Sequence, residues 1–150
     1  GHIAAALPDA RSVVLAGHSA GGHLCAMAVL VHDPGVSVDR VVLVSGVYDL
    51  RPLVHTTVND VLGLTPDSAE ALSPMLAPVR RDARRPDVVV VVGENETDAF
   101  KAQSWAYADH VAAAGLDVVR QECIGRNHFD IVDDLSNPST PLGSMVSGAR

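Results

Sequence analysis

The sequence has little cysteine, no excess of positive charge and no long apolar run, and each of these absences excludes a class of protein. Two cysteines among 150 residues are too few for a disulfide framework. Cys25 lies in an apolar segment and Cys123 near the end of a predicted strand, so we expect buried thiols in a reducing compartment, the cytoplasm. No apolar run reaches about 18 residues, so no segment is predicted to span a membrane.

The charge balance is acidic, with a formal net charge of -7 and an isoelectric point near 5.3. This balance disfavours nucleic acid and anionic membranes as partners. The basic residues form no stripe, and the cluster at 80–85 is interrupted by Asp82, so we interpret it as a solvated connection. The seven histidines and two cysteines show no metal-ligand spacing, so we expect no metal site.

Apolar segments predict four strands, at 13–16, 41–44, 88–93 and 116–124. The last of them is more polar than the others, which is typical of a strand at the edge of a sheet. Helices are predicted at 4–7, 24–31, 58–62, 68–72, 98–114 and 129–135. Strands that alternate with helices predict an α/β fold with a parallel sheet covered by helices on both faces.

The longest predicted helix, at 98–114, has one apolar face and ends at Gly115. We expect that face to consist of Trp105, Ala108, Val111 and Ala112.

The length and the even composition predict one domain over residues 1–150. In a sheet of these four strands the apolar first strand falls at an edge, where its backbone would be unpaired. We therefore expect the chain to be the C-terminal part of a larger fold whose N-terminal strands are missing. An exposed first strand also predicts aggregation or a homodimer for the isolated chain.

A glycine-flanked serine lies between the first predicted strand and the first predicted helix, in the order of a nucleophile elbow. Such a turn presents Ser19 at its tip and strains the serine backbone. We expect Gly17 and Gly21 to be required because side chains there would collide with the neighbouring strand and helix. The amide of Ala20, at the start of the helix, is the predicted donor to an oxyanion.

A serine nucleophile needs a base, and seven histidines are available. His128 is the candidate because it follows the last strand, where a loop can reach over the carboxyl ends of the sheet. His18 and His23 flank the serine and are expected to line the pocket or cap the helix. The remaining histidines are interpreted as surface or packing residues, namely His2, His32, His55 and His110.

The base in turn needs an acid, and the loop after the third strand supplies three carboxylates. Glu96 is the preferred candidate, since a carboxylate three residues after Gly93 can turn toward the histidine loop. Asp98 is the alternative acid, although its position also suits a cap of the following helix. Asp49, after the second strand, is a third candidate.

Several motifs in a fixed order resemble the kynurenine formamidase (arylformamidase) branch of the α/β-hydrolases. The resemblance extends from near residue 3 to about residue 142. Its motifs are Gly-His-Ser-Ala-Gly-Gly-His-Leu at 17–24, Ser-Gly-Val-Tyr-Asp-Leu at 45–50, Asn-Asp-Val-Leu-Gly-Leu at 59–64, Leu-Ser-Pro at 72–74 and Gly-Arg-Asn-His-Phe at 125–129.

The resemblance implies hydrolysis of the N-formyl amide of N-formyl-L-kynurenine to L-kynurenine and formate, in tryptophan catabolism, without a cofactor. It implies Ser19 as nucleophile, His128 as base and Glu96 at the acid position. A formyl group is small, so specificity is expected in a pocket for the aryl amino acid, with His18, Tyr48 and Asn59 as candidate lining residues. For Tyr48 and Asn59, packing and helix capping are equally good explanations.

Two features depart from the family pattern. Members often carry aspartate at the acid position, where this chain has Glu96. The His-Gly-Gly oxyanion loop that precedes the elbow in the family is absent, which leaves Ala20 as the visible donor. Loss of one donor costs about 100- to 1000-fold in the chemical step, so the chain alone is expected to be weakly active or inactive.

Two other functions fit the same residues. One is a general short-chain carboxylesterase with the same triad, and the other is a noncatalytic hydrolase-like remnant that binds a ligand or a partner.

Overall fold

Valine-rich runs form the parallel sheet of this protein, because continuous β-branched residues suit strands that are buried on both faces. The computed structural model describes residues 12–80 and 85–147. Its four-stranded sheet has the order β1-β2-β3-β4, and every neighbouring pair is parallel. The strands are β1 (Val14–His18), β2 (Arg40–Val44), β3 (Asp87–Gly93) and β4 (Val118–Cys123).

Helices connect the strands, as the predicted α/β fold requires. They are α1 (Ala20–Ala26), continued by a π-helical turn (Met27–Val31), then α2 (Asn59–Leu62), α3 (Pro66–Ala71), α4 (Asp98–Ala113) and α5 (Pro141–Ser147). Two 3₁₀ helices lie at Arg51–His55 and Asp130–Ser136. Helix α5 was not expected from the sequence, and the helix predicted at 4–7 lies outside the described residues.

The two faces of the sheet form two separate clusters of buried side chains. Val41, Leu43, Val88 and Val90 point to the face covered by α1 and α4. The alternate residues of β2 and β3 point to the other face, where Ile131 and Leu142 cover them. Helices on both faces confirm the predicted layering.

The predicted buried face of α4 is partly wrong. Ala108 and Val111 are fully buried, but Ala112 is exposed. The other two fully buried residues of this face are Ser104 and Tyr107. These positions follow the i, i+3, i+4, i+7 spacing of a helix face, from which residue 112 is rotated away.

The edges of the described sheet are β1 and β4, as predicted. The exposed residues of β4 include Val119 and Arg120, which fits its polar sequence. Both cysteines are free and buried, which confirms the expected thiols. Within residues 12–80 and 85–147, no helix has the length and hydrophobicity needed to cross a bilayer.

Candidate active site

The turn between β1 and α1 holds Ser19 in a strained conformation. Its φ is 53° and its ψ is -117°, in a region that non-glycine residues rarely adopt. The Ser19 N–H donates to the carbonyl of Val44 at 2.9 Å, and the Ser19 carbonyl accepts from the His23 N–H at 3.1 Å. These bonds fix the serine between the end of β2 and the first turn of α1, as expected for a nucleophile elbow.

Close packing of the elbow depends on Gly17 and Gly22. A Cβ at Gly17 would lie 2.2 Å from the Gly21 carbonyl oxygen, so the expected collision at Gly17 is present. The expected collision at Gly21 is wrong, because no atom lies within 4 Å of a Cβ placed there. At Gly22 a Cβ would lie 3.1 Å from Cα of Gly46, so this second glycine lets α1 approach the end of β2.

His128 lies on a loop that follows β4 and is fixed from both sides. The side-chain oxygen of the preceding Asn127 accepts the backbone N–H of Phe129 at 2.8 Å. The backbone N–H of Asn127 donates to the carboxylate of Asp130 at 2.7 Å. The carbonyl of Arg126 accepts the Asn95 N–H at 2.8 Å, which joins this loop to the turn after β3. The loop therefore holds His128 above the carboxyl ends of the central strands.

The structure brings Ser19, His128 and Glu96 into one hydrogen-bonded line. Oγ of Ser19 lies 3.1 Å from Nε2 of His128, and Nδ1 of His128 lies 2.9 Å from Oε2 of Glu96. The Glu96 side chain is fully buried, whereas 19% of the His128 side chain is exposed. With the proton on Nδ1 donated to Glu96, Nε2 is free to accept the serine proton.

The second carboxylate oxygen of Glu96 is also held. Oε1 accepts the N–H of Gly93 at 2.8 Å and the hydroxyl of Ser45. Ser45 was not among the predicted site residues; the available indication was its position at the end of the second strand, next to Gly46. Three donors thus surround a carboxylate that would otherwise be costly to bury.

The two other acid candidates lie elsewhere. Asp98 is exposed in the first turn of α4. It does not cap that helix, since the N-cap is Thr97, whose side chain accepts the Phe100 N–H. Asp49 pairs with Arg51 at 2.7 Å, and this hydrogen-bonded guanidinium lowers the pKa of Asp49.

Aromatic rings surround His128. The ring centroids of Phe100, His18 and Phe129 lie 4.3, 4.7 and 5.6 Å from that of His128. Burial, followed by the proximity of His128, lowers the pKa of His18. Nε2 of His18 is buried and has no hydrogen-bond partner within the described part of the chain. His18 is thus in contact with His128, whereas its expected role in substrate binding stays a prediction.

Two predicted pocket residues make structural contacts within the fold, and the role of Asn59 in substrate binding stays a prediction. Tyr48 is fully buried and stacks on Tyr107 with ring centroids 4.2 Å apart, so it packs in the core. The side-chain N–H₂ group of Asn59 donates to the carbonyls of Val54 and Leu64, and its side-chain oxygen accepts the Leu64 N–H at 2.7 Å. The side-chain amide of Asn59 thus joins the backbone before and after α2. Backbone N–H and C=O groups in such a short segment need hydrogen-bond partners.

The remaining histidines have structural or surface positions. Nδ1 of His23 lies 3.0 Å from the Val47 carbonyl, and Nε2 of His110 lies 3.1 Å from the Ala77 carbonyl. His32 and His55 are exposed, and His2 lies outside the described residues. No group of three or more His, Cys, Asp or Glu side chains among residues 12–80 and 85–147 could hold a metal ion.

Comparison with known proteins agrees with this geometry. The sequence profile of the alpha/beta hydrolase fold family matches residues 2–130. The chain belongs to the alpha/beta hydrolase family. Its predicted resemblance to kynurenine formamidases is also confirmed: it is 35% identical to "Kynurenine formamidase" of Danio rerio over 138 residues, and 33% identical to that of Drosophila melanogaster over 137 residues.

This alpha/beta hydrolase chain spans about half the length of those curated relatives, since the matches cover 88% and 82% of the chain but 47% and 44% of the relatives. Among solved structures, a proposed thioesterase from Silicibacter sp. TM1040 matches with a TM-score of 0.77 and 29% identity, over 97% of this chain and 55% of that one. A hyperthermophilic esterase from the archaeon Pyrobaculum calidifontis matches with a TM-score of 0.62 and 22% identity, over 91% and 52% of the two chains. The similarity to the esterase, at 22% identity, shows that the fold is shared and nothing more.

Proposed function

We propose that this chain carries the catalytic triad of a serine hydrolase that converts N-formyl-L-kynurenine to L-kynurenine and formate, a step of tryptophan catabolism. The observation that supports the proposal most is the pair of hydrogen bonds that links Ser19 to His128 and His128 to Glu96, with donor–acceptor distances of 3.1 and 2.9 Å. Both distances are within hydrogen-bond reach, as proton transfer from a nucleophile to its base requires.

In the first half of the reaction, Ser19 Oγ attacks the formyl carbon while Nε2 of His128 accepts the hydroxyl proton. The carbonyl oxygen becomes an oxyanion, toward which the Ala20 N–H donates. Ala20 is the first residue of α1, and the first N–H groups of a helix have no acceptor within the helix. Glu96 stabilises the imidazolium that forms and keeps its ring oriented.

In the second half, the tetrahedral intermediate collapses and the C–N bond breaks. His128 returns its proton to the departing aryl amine, which leaves a formyl ester on Ser19. Water then attacks the ester carbon while His128 takes a proton from it, and formate leaves as the Ser19 hydroxyl is restored. No cofactor takes part in these steps.

Two observations support an aryl formamide as the substrate. The curated relatives that match at 33–35% identity are named kynurenine formamidases. Phe129, next to the proposed base, is 83% exposed, so its ring is available to an aromatic leaving group. A short-chain ester is the second candidate, because the same arrangement of Ser19, His128 and Glu96 also suits ester hydrolysis.

The test is turnover of N-formyl-L-kynurenine beside p-nitrophenyl acetate, in the chain and in the full-length gene product, each with its Ser19→Ala variant. We expect a higher kcat/KM for the formamide and no turnover by Ser19→Ala. Turnover of the ester alone would favour the carboxylesterase. Turnover of neither substrate by a folded full-length protein would favour the noncatalytic remnant.

We also propose that the isolated chain self-associates through β1. This strand lies at an edge of the described sheet, and unpaired strand edges favour pairing with another chain. Sedimentation velocity tests the proposal, and a monodisperse monomer would contradict it.

A further inference from the structure

Ser45 adopts a strained backbone conformation that its neighbours do not share. Its φ is 49°, and the only other described non-glycine residue with a positive φ is Ser19, at 53°. Such conformations cost energy and persist where the surrounding structure requires them, often at functional sites. Of these two strained serines, the proposed mechanism uses Ser19 and leaves Ser45 without a role.

The position of Ser45 connects the strands that lead to the nucleophile and to the acid. It directly follows β2, which lies between β1 and β3 in the sheet. The preceding Val44 accepts the N–H of Ser19 at 2.9 Å, and the N–H of Ser45 donates to Val91 of β3 at 2.8 Å. The backbone here therefore fixes Ser45 relative to both Ser19 and the turn that carries Glu96.

The Ser45 side chain completes the environment of the acid. Ser45 is fully buried, and its hydroxyl donates to Oε1 of Glu96, the oxygen that also accepts the Gly93 N–H at 2.8 Å. The other oxygen, Oε2, is therefore available to accept from Nδ1 of His128, 2.9 Å away. Glutamate has one more rotatable bond than aspartate, so its carboxylate needs more contacts to stay in one orientation.

We infer that Ser45 is a positioning residue, whose hydroxyl fixes Oε1 of Glu96 so that Oε2 faces Nδ1 of His128. Ser45 acts through Glu96 and touches no reacting atom. The inference rests on the proposed function, because the orientation of Glu96 affects a rate only if His128 acts as the base. The strain at Ser45 follows from this role, since a glycine at the same φ would lack the hydroxyl.

Two substitutions remove this hydroxyl in different ways. Ser45→Ala keeps the Cβ and the strain, whereas Ser45→Gly also relieves the positive φ, so any loss of activity in Ser45→Gly cannot come from backbone strain. The matched control is Ser104→Ala. Ser104 is also fully buried, and its hydroxyl has no hydrogen-bond partner within residues 12–80 and 85–147.

The variants are compared in the full-length gene product by three measurements. These are kcat and KM for N-formyl-L-kynurenine, the rate at which a fluorophosphonate labels Ser19, and the far-downfield proton NMR resonance of His128 Nδ1–H. We expect both Ser45 variants to lose roughly 10- to 100-fold in kcat and labelling rate, the scale of a small displacement of a catalytic group, with KM unchanged. We expect their Nδ1–H resonance to shift upfield or broaden, and Ser104→Ala to match the wild type in all three measurements.

The resonance separates this inference from the proposed function, because it reports on the His128–Glu96 pair without any substrate. If Ser45→Gly matched Ser104→Ala in both labelling rate and resonance, the inference would be overturned. If the wild type neither hydrolysed the formamide nor reacted with the fluorophosphonate, the proposed function would fail. The resonance alone would then decide whether Ser45 positions Glu96.

Discussion

Oε2 of Glu96 lies 2.9 Å from Nδ1 of His128, although 32 positions separate the two residues in the chain. Glu96 follows β3 and His128 follows β4, and these strands are parallel neighbours. Their carboxyl ends therefore meet at the same edge of the sheet, as in other open α/β folds in which sites form at this edge.

Glu96→Gln preserves the shape of the proposed acid and removes its charge, so we expect kcat for the formamide to fall roughly 10⁴-fold. The matched control is Asp98→Asn, which removes the exposed carboxylate two positions away. This control is expected to change kcat less than twofold. A large loss in Asp98→Asn together with a small loss in Glu96→Gln would make Asp98 the acid.

The glycines of the elbow are expected to differ in their tolerance of alanine. At Gly17 a Cβ would lie 2.2 Å from a backbone oxygen, so Gly17→Ala should lower the free energy of unfolding by about 3 kcal/mol. Gly21→Ala should change it by less than about 1 kcal/mol, in the stabilising direction, because the site is open and helical. Urea denaturation measures both, and equal destabilisation by the two variants would contradict this account.

The order of the elements was predictable from the sequence because it depends on local patterns. The valine run that became β3 and the glycine-flanked Ser19 are strong indications of a strand and of a turn. Gly21 and Gly22 could not be told apart, because their difference lies in how α1 meets the end of β2. Tyr48 and Ser45 likewise depend on contacts with distant segments, to Tyr107 and Glu96, which a single sequence does not reveal.

The stability of the protein should depend on pH through His18. Burial and the neighbouring His128 lower the pKa of His18 below 6.5 in the folded protein. The unfolded chain then binds a proton at His18 more readily, so the free energy of unfolding decreases as the pH falls below 6.5. His18→Gln should flatten this dependence in urea titrations, whereas His55→Gln, at an exposed site, should not. Identical pH slopes in wild type and His18→Gln would contradict the prediction.

The two thiols should be unreactive in the native state. Cys25 and Cys123 are 8% and 6% exposed, and burial raises the pKa of both. The thiolate is the reactive species, so native protein at neutral pH should react slowly with Ellman's reagent. In urea, where the protein is unfolded, both thiols should react rapidly with the reagent. Rapid reaction of either thiol in the native protein would show that its part of the core is open.

Covalent labelling tests the central claim, a serine nucleophile with formamidase specificity, most directly. The folded full-length protein is treated with a fluorophosphonate, with and without excess N-formyl-L-kynurenine, and the adduct is mapped by mass spectrometry. We predict a single adduct on Ser19, slowed by the formamide and absent from Ser19→Ala. A folded protein that gives no adduct on Ser19, or an adduct that the formamide does not slow, would contradict the account.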